Sequence, residues 1–162
     1  MQSPNGAAEL TGDDLETWSA LATVLEWLPT ALDQQLQRDA GVTHFEYGLL
    51  YALSAAPERT LRMSVLAGYA NSSLSRLSRA ASRLEKKHWL ERTPDPADGR
   101  YTLAILTDLG QRTVVEATPG HASTVHRLVL DQLTKAQTVQ LREISRRIAR
   151  AIQDDGGWRP GA

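Results

Sequence analysis

The sequence has no cysteine, one phenylalanine and two methionines. Without cysteine, disulfides, thiolate metal ligands and cysteine redox sensing are excluded. No apolar run approaches the roughly 20 residues that a membrane-spanning helix needs, so no membrane partner is expected. The opening residues MQSPNGAAELTGDDLE have neither a charged n-region nor an apolar h-region. They do not read as a signal peptide, and a cytoplasmic protein is expected. A Gly-rich phosphate loop, an HExxH pair and a GxSxG elbow are all missing, so the chain does not read as an enzyme. His121 and His126 lie five residues apart, off a common helical face, and His44 and His88 are distant in sequence. No metal site and no cofactor are expected from such a set.

Net charge is also scarce, at −1 over 162 residues. The total hides an uneven distribution. Residues 1–40 hold seven acids and one base, Arg38, for a balance of −6. Residues 62–100 hold eight bases and four acids, for +4. A polyanion responds to the local field and not to the sum, so the middle third is the candidate contact surface.

The length suits one domain with a real core. A helix is expected after Thr11 or Gly12, with Asp13, Asp14 and Glu16 at the positive end of its dipole. Trp18, Leu21, Ala22, Leu25 and Leu28 form its stripe, and Pro29 kinks or restarts it. Gly41 suits the C′ position. Thr43 and Glu46 then make a capping box, flanked by a Val42–Tyr47 staple, and this second helix should stop before Pro57. Thr60 to Arg62 reads as a connector or one strand. Met63 to Ala70 reads as a short helix with Met63, Leu66, Ala67 and Ala70 inward. Asn71-Ser72-Ser73 reads as a tight turn, with Asn71 in the left-handed region and Ser72 capping the next helix.

From Ser73 to His88, Leu74, Leu77, Ala81, Leu84 and His88 share one helical face, and Ser75, Arg79, Ser82, Arg83 and Lys86 the opposite one, with Arg76 at its edge. Leu90-Glu91-Arg92 and Tyr101 to Leu106 read as two strands around a turn-rich loop, the second with Leu103 and Ile105 on one face. Thr107 caps a helix that is expected to break at Pro119-Gly120 and resume through Val125, Leu128 and Leu133. Thr134 and Gln137 form a second capping box before a last helix with Val139, Leu141, Ile144, Ile148 and Ile152 apolar. Residues 1–10 and Gly156 to Ala162 read as tails. Trp27 and Trp89 read as packing residues. The fold class is therefore mainly α with a small β-hairpin wing. The pattern points to a helix offered to a DNA major groove beside a basic hairpin.

The stretch LRMSVLAGYANSSLSRLSRAASRLEKKHWLER followed by TPDPADGRYTLAILTDLGQR resembles the MarR family of winged helix-turn-helix transcriptional regulators. Leu77-Ser78-Arg79 and Arg83-Leu84-Glu85-Lys86-Lys87 resemble its recognition helix. Asp98-x-Arg100 and Leu106-Thr107 resemble its wing. One departure is His88, where relatives usually carry Gly to end the helix. The resemblance covers about residues 12–153. It implies a homodimer on double-stranded DNA, held by helices at about 12–40 and 119–153, with a DNA-binding head at about 43–107. The implied function is a repressor of inverted-repeat operators, relieved by a small, often aromatic, effector.

Ser75, Arg76, Ser78 and Arg79 are the candidate base readers, since Arg bridges guanine O6 and N7 and a serine hydroxyl suits any base or phosphate. Ser78 lies nearer the buried side and could serve the backbone. Ser73 stands where helix N–H groups hold phosphate. Arg83, Lys86 and Arg92 are candidate phosphate contacts. Arg100 would enter the minor groove, with Asp98 holding its guanidinium or tying the loop. Trp18, His44, Tyr47 and Tyr51 are the candidate effector contacts, an aromatic platform with a few polar groups. The alternative from another class is a winged-helix protein-interaction module without sequence-specific DNA binding.

Overall fold

The computed structural model describes residues 9–155, so most of the first tail and all of the second lie outside the described residues. Helix α1 (Gly12–Ala40) runs through Pro29 without a restart and ends at Gly41, whose φ of 65° is left-handed. The turn to α2 (His44–Ala55) carries the expected capping box: Thr43 Oγ1 accepts from the Glu46 N–H, and Glu46 Oε2 accepts from the Thr43 N–H. A 3₁₀ turn at Pro57–Arg59 leads into strand β1 (Thr60–Arg62) and helix α3 (Met63–Tyr69). Asn71 turns the corner with φ 43°, as its side chain allows. Helix α4 (Leu74–Lys86) is capped by Ser73, not by Ser72 as expected: the Ser73 Oγ accepts from the Arg76 N–H at 3.2 Å.

Strand β2 (Leu90–Pro94) is longer than the sequence indicates, and it pairs with β3 (Thr102–Leu106). The wing is not a free hairpin. Strand β1 pairs antiparallel on the other edge of β3, giving the order β1-β3-β2 with Leu61 opposite Ala104. Leu103 and Ile105 do share a face, but Ala104 and Leu106 form the buried one.

Helix α5 (Asp108–Leu128) begins at the Thr107 cap and passes Pro119-Gly120 without the expected interruption. Proline removes one N–H and crowds the carbonyl of Val115, yet the helix continues through the exposed Pro119. Gly120 permits close packing on α1, since a Cβ there would lie 3.2 Å from Gln35 Nε2. After a 3₁₀ turn at Leu130–Gln132, helix α6 (Lys135–Asp154) starts at the Thr134–Gln137 capping box. None of the described helices is long and apolar enough to cross a membrane.

Helix α1 packs along α5, and α2 touches α1, α5 and the sheet. The core joins these layers through Leu36, Leu49, Leu50, Leu53, Leu66, Leu77, Leu84 and Leu90, all fully buried. The ends differ. Trp27, which the sequence suggests for packing, is 74% exposed on α1, and α6 has no buried residue at all. Val139, Leu141, Ile144, Ile148 and Ile152 keep their apolar faces uncovered in the single chain.

His88 neither prolongs α4 nor joins its buried face. It takes the left-handed conformation, φ 58°, just past the C-cap at Lys87. Its carbonyl accepts from Thr107 Oγ1 at 2.7 Å, and Trp89 O accepts from the Thr107 N–H. Trp89 packs partly buried against the core, as expected. Gly110 completes this junction, because a Cβ there would sit 2.1 Å from Trp89 O.

A Cβ in the left-handed region costs about 1–2 kcal/mol, offset in part by the greater freedom of unfolded glycine. His88→Gly is therefore expected to stabilise the protein by about 0.5–1 kcal/mol in urea unfolding. Gly110→Ala should destabilise it by about 1–3 kcal/mol through overpacking. A lower midpoint for His88→Gly would remove the strain assigned to that residue.

Candidate nucleic-acid interface

Helix α4 is dry on one side and polar on the other. Leu77, Ala80, Ala81 and Leu84 have no exposure, while Ser75, Arg76, Arg79, Arg83 and Lys86 are exposed. Leu74, placed on the buried stripe by periodicity, is 57% exposed. It is the first residue of the helix. A lone apolar side chain beside arginines suits a thymine methyl in a major groove. Periodicity could not single it out, because spacing alone assigns it inward.

The cations of this face differ in their surroundings. The side chains of Arg79 and Lys86 form no hydrogen bond or ion pair with the described residues. The Arg76 guanidinium lies 4.3 Å above the Phe45 ring. Arg83 donates from Nε to Glu46 Oε1 at 2.6 Å, with its side chain still 55% exposed. Burial raises the Glu46 pKa, but the Thr43 N–H and the Arg83 guanidinium outweigh it, so the carboxyl sits below its ordinary value. Arg76, Arg79 and Arg83 together line a crevice of about 360 Å³ with Asp33, Thr43 and Phe45.

Two candidates are occupied elsewhere. Arg92, expected to meet phosphate, is half-buried and donates to Ser78 Oγ, Ser82 Oγ and Glu85 Oε2 at 3.1, 2.9 and 2.5 Å. Ser78, expected to read a base, faces that guanidinium instead. Both fasten β2 to α4, because strand pairing delivers Arg92 beneath the helix and not to its outer face. Ser73 likewise uses its hydroxyl for the cap.

The wing loop is tied at its base by a residue that sequence reasoning passed over. Asp95 is buried, accepts from Arg62 Nη2 at 2.7 Å and from the Ala97 N–H at 2.8 Å. Arg62 also lies 4.3 Å over the Tyr101 ring. Beyond this anchor, Asp98 accepts from the Arg100 N–H and from its guanidinium, the latter at 2.7 Å. That guanidinium, then the N–H, holds the Asp98 carboxyl below its ordinary range. Arg100 itself is 84% exposed at the tip.

A second concavity, of about 450 Å³, opens between α2 and α5. His44, Tyr47 and Tyr51 line it, whereas Trp18 lies outside, half-exposed on α1. Tyr69, Thr118 and His121 complete the wall. Sequence reasoning missed His121 as a neighbour of His44 because it placed a helix break one residue earlier. The two imidazoles stack at 6.0 Å, and Tyr47 lies 4.7 Å from His121 while its hydroxyl meets Thr118 Oγ1 at 3.0 Å. Nδ1 of each histidine is buried without a partner. Among the described residues, no three His, Asp or Glu side chains gather as a metal site.

Burial, then the charge of His44, lowers the His121 pKa below 6.5. The unfolded chain therefore binds the extra proton more readily, and this contribution to stability is lost as pH falls from the ordinary histidine value towards the depressed one. His121→Gln is expected to flatten the stability profile between about pH 7 and pH 5. An unchanged profile from denaturation at several pH values would contradict the lowered pKa of the partly buried His121.

The MarR family sequence model matches residues 40–100. The HTH-type transcriptional regulator YdcH of Bacillus subtilis is 31% identical over 80 residues, which are 48% of this chain; the match spans about half of that relative, 54%. Among solved structures, Sco3205, a MarR family transcriptional regulator from Streptomyces coelicolor determined in complex with DNA, superposes with a TM-score of 0.87 at 42% identity, covering 94% of each chain. AbsC, a MarR family regulator from the same organism, superposes with a TM-score of 0.85 at 29% identity over 90% of this chain and 98% of its own. With its order of helices, its three-stranded wing and a relative of this identity matched over nearly its full length, the chain belongs to the MarR family of transcriptional regulators.

Proposed function

We propose that the protein is a homodimeric, sequence-specific DNA-binding regulator that represses inverted-repeat operators and is released by a small aromatic ligand. The observation that carries this reading is the exposed row Ser75, Arg76, Arg79, Arg83 and Lys86 on a helix whose other side buries Leu77, Ala80, Ala81 and Leu84 completely. Such a helix has one way to sit, and its outward face is cationic in a chain of net charge −1. That Sco3205 was solved with DNA supports the same use here.

In this reading Arg79, Arg76 and Ser75 meet base edges, with Leu74 against a thymine methyl. Arg83 and Lys86 meet phosphate, and Ser73 marks the helix end nearest the backbone. Arg100 enters the adjacent minor groove, with Asp98 setting the angle of its guanidinium. Residues about 43–107 form the head. The uncovered apolar faces within about 12–40 and 119–153 pair with a second copy, so two heads meet successive major grooves. The ligand lies in the cavity of His44, Tyr47, Tyr51 and His121, an aromatic wall with unpartnered polar atoms. It acts by binding better to a head spacing that does not fit the operator. A regulator of this kind works on chromosomal DNA in the cytoplasm, without catalysis.

Selection of duplexes from a random pool at two salt concentrations tests the reading. An inverted repeat with half-sites about one helical turn apart is expected, with affinity falling steeply as salt rises. Enrichment of no sequence would favour a protein-interaction module instead. On the selected duplex, Arg79→Ala should lose about 1–3 kcal/mol at one base position, seen as equal affinity for matched and mismatched bases there. Arg100→Ala should weaken binding mainly at A·T-rich flanks, and an unchanged footprint would exclude the wing. Ile148→Asp should convert a species of twice the 17.8 kDa chain mass to monomer in light scattering and abolish operator binding together. A dimer that survives this change would move the interface off α6.

A further inference from the structure

Two adjacent residues of α2, Phe45 and Glu46, reach the outer cations of α4 from a different part of the chain. Glu46 is 4% exposed and its two carboxylate oxygens have separate duties: Oε2 closes the capping box and Oε1 accepts from Arg83 Nε. Pairing through Nε leaves the two terminal nitrogens of Arg83 unbonded within the described residues. Phe45 supports the Arg76 guanidinium from below at 4.3 Å. Both arginines edge the same crevice, with unpartnered Arg79 between them. A free arginine on a helix surface loses rotamer freedom when it docks; one already held loses less.

We propose that Glu46 and Phe45 are positioning residues for DNA recognition, which pre-orient Arg83 and Arg76 so that their terminal nitrogens face the duplex. The inference rests on the reading of α4 as the DNA-contacting helix. Glu46 itself touches no DNA, being buried behind the guanidinium that it holds. Its carboxyl remains ionised at neutral pH, because the Thr43 N–H and Arg83 overcome the effect of burial. The same turn faces the other way through His44 and Tyr47, which line the aromatic cavity. One helical turn thus sets two arginines and borders the ligand cavity, and a small rotation of it reaches both.

The test is a double-mutant cycle on the full chain with the duplex enriched from the random pool, read by fluorescence anisotropy across a salt series. Glu46→Gln retains a group able to close the box, as Gln137 does at Thr134. It is expected to weaken binding about 2–10-fold in the otherwise native protein and to have no effect in an Arg83→Ala background. Arg83→Ala alone should lower the salt slope by about 1, as one lost phosphate contact does. An equal loss from Glu46→Gln in both backgrounds, no loss in either, or native affinity and slope for Arg83→Ala would each overturn the proposal. Phe45→Leu with Arg76→Ala forms a second, independent cycle with the same expectation, and it decides the matter if Glu46→Gln does not fold. Enrichment of no duplex by the native protein would instead overturn the DNA-binding function itself.

Discussion

Burial of Leu77, Ala80, Ala81 and Leu84 is the constraint on which the head depends. These four residues fix the rotation of α4 about its own axis, since turning the helix by one position would expose leucine and bury arginine. Each buried leucine is worth about 1.5–3 kcal/mol relative to exposure, and a buried guanidinium would cost several. The outward face of α4 is set by that dry seam. Past the C-terminus of the helix, the His88 carbonyl accepts from Thr107 Oγ1 and ties the exit of α4 to the start of α5.

Around this seam the charged side chains fall into distinct groups. Some fasten elements together: Arg92 joins β2 to α4 through Ser78, Ser82 and Glu85, and Arg62 joins β1 to the wing through Asp95. Lys87 does so between α4 and the C-terminus of α1, meeting the Gly41 carbonyl and lying over Trp89. Others point outward with no partner among the described residues, as Arg79 and Lys86 do. Arg83 and Arg76 belong to both groups, since each is anchored at one side and open at the other. A total charge near zero is therefore compatible with a positive face, because four of the six acids of residues 43–107, Glu46, Glu85, Asp95 and Asp98, are engaged by arginines or backbone N–H groups.

The head also shares a wall with the rest of the chain. Helix α2 contributes Leu49, Leu50 and Leu53 to the core, its first turn to α4, and His44 and Tyr47 to the cavity against α5. Because α1 packs along α5 and α2 lies on both, the cavity and the elements that carry α4 share one packed frame. Trp27 and Ile148 are legible as apolar residues in the sequence, yet the single chain does not cover them.

Local signals in the sequence determined a large part of this protein. Both capping boxes, the Gly41 terminus, the Asn71 corner, the Thr107 cap and the outward row of α4 depend on residues within a turn or two of one another, and each was readable from spacing. What failed were local rules at places where packing overrode them. Pro119-Gly120 did not break α5, because α1 packs against it; Leu74, at the first position of α4, was left exposed while Leu77, one turn on, was buried. Only the tertiary structure decided which long side chains remained free. The partners of Arg92 lie 7 to 14 residues away, Glu46 lies 37 from Arg83, and Thr118 lies 71 from Tyr47. A hydrogen bond over such separations is set by how helices and strands stack, and no periodicity in the chain encodes it.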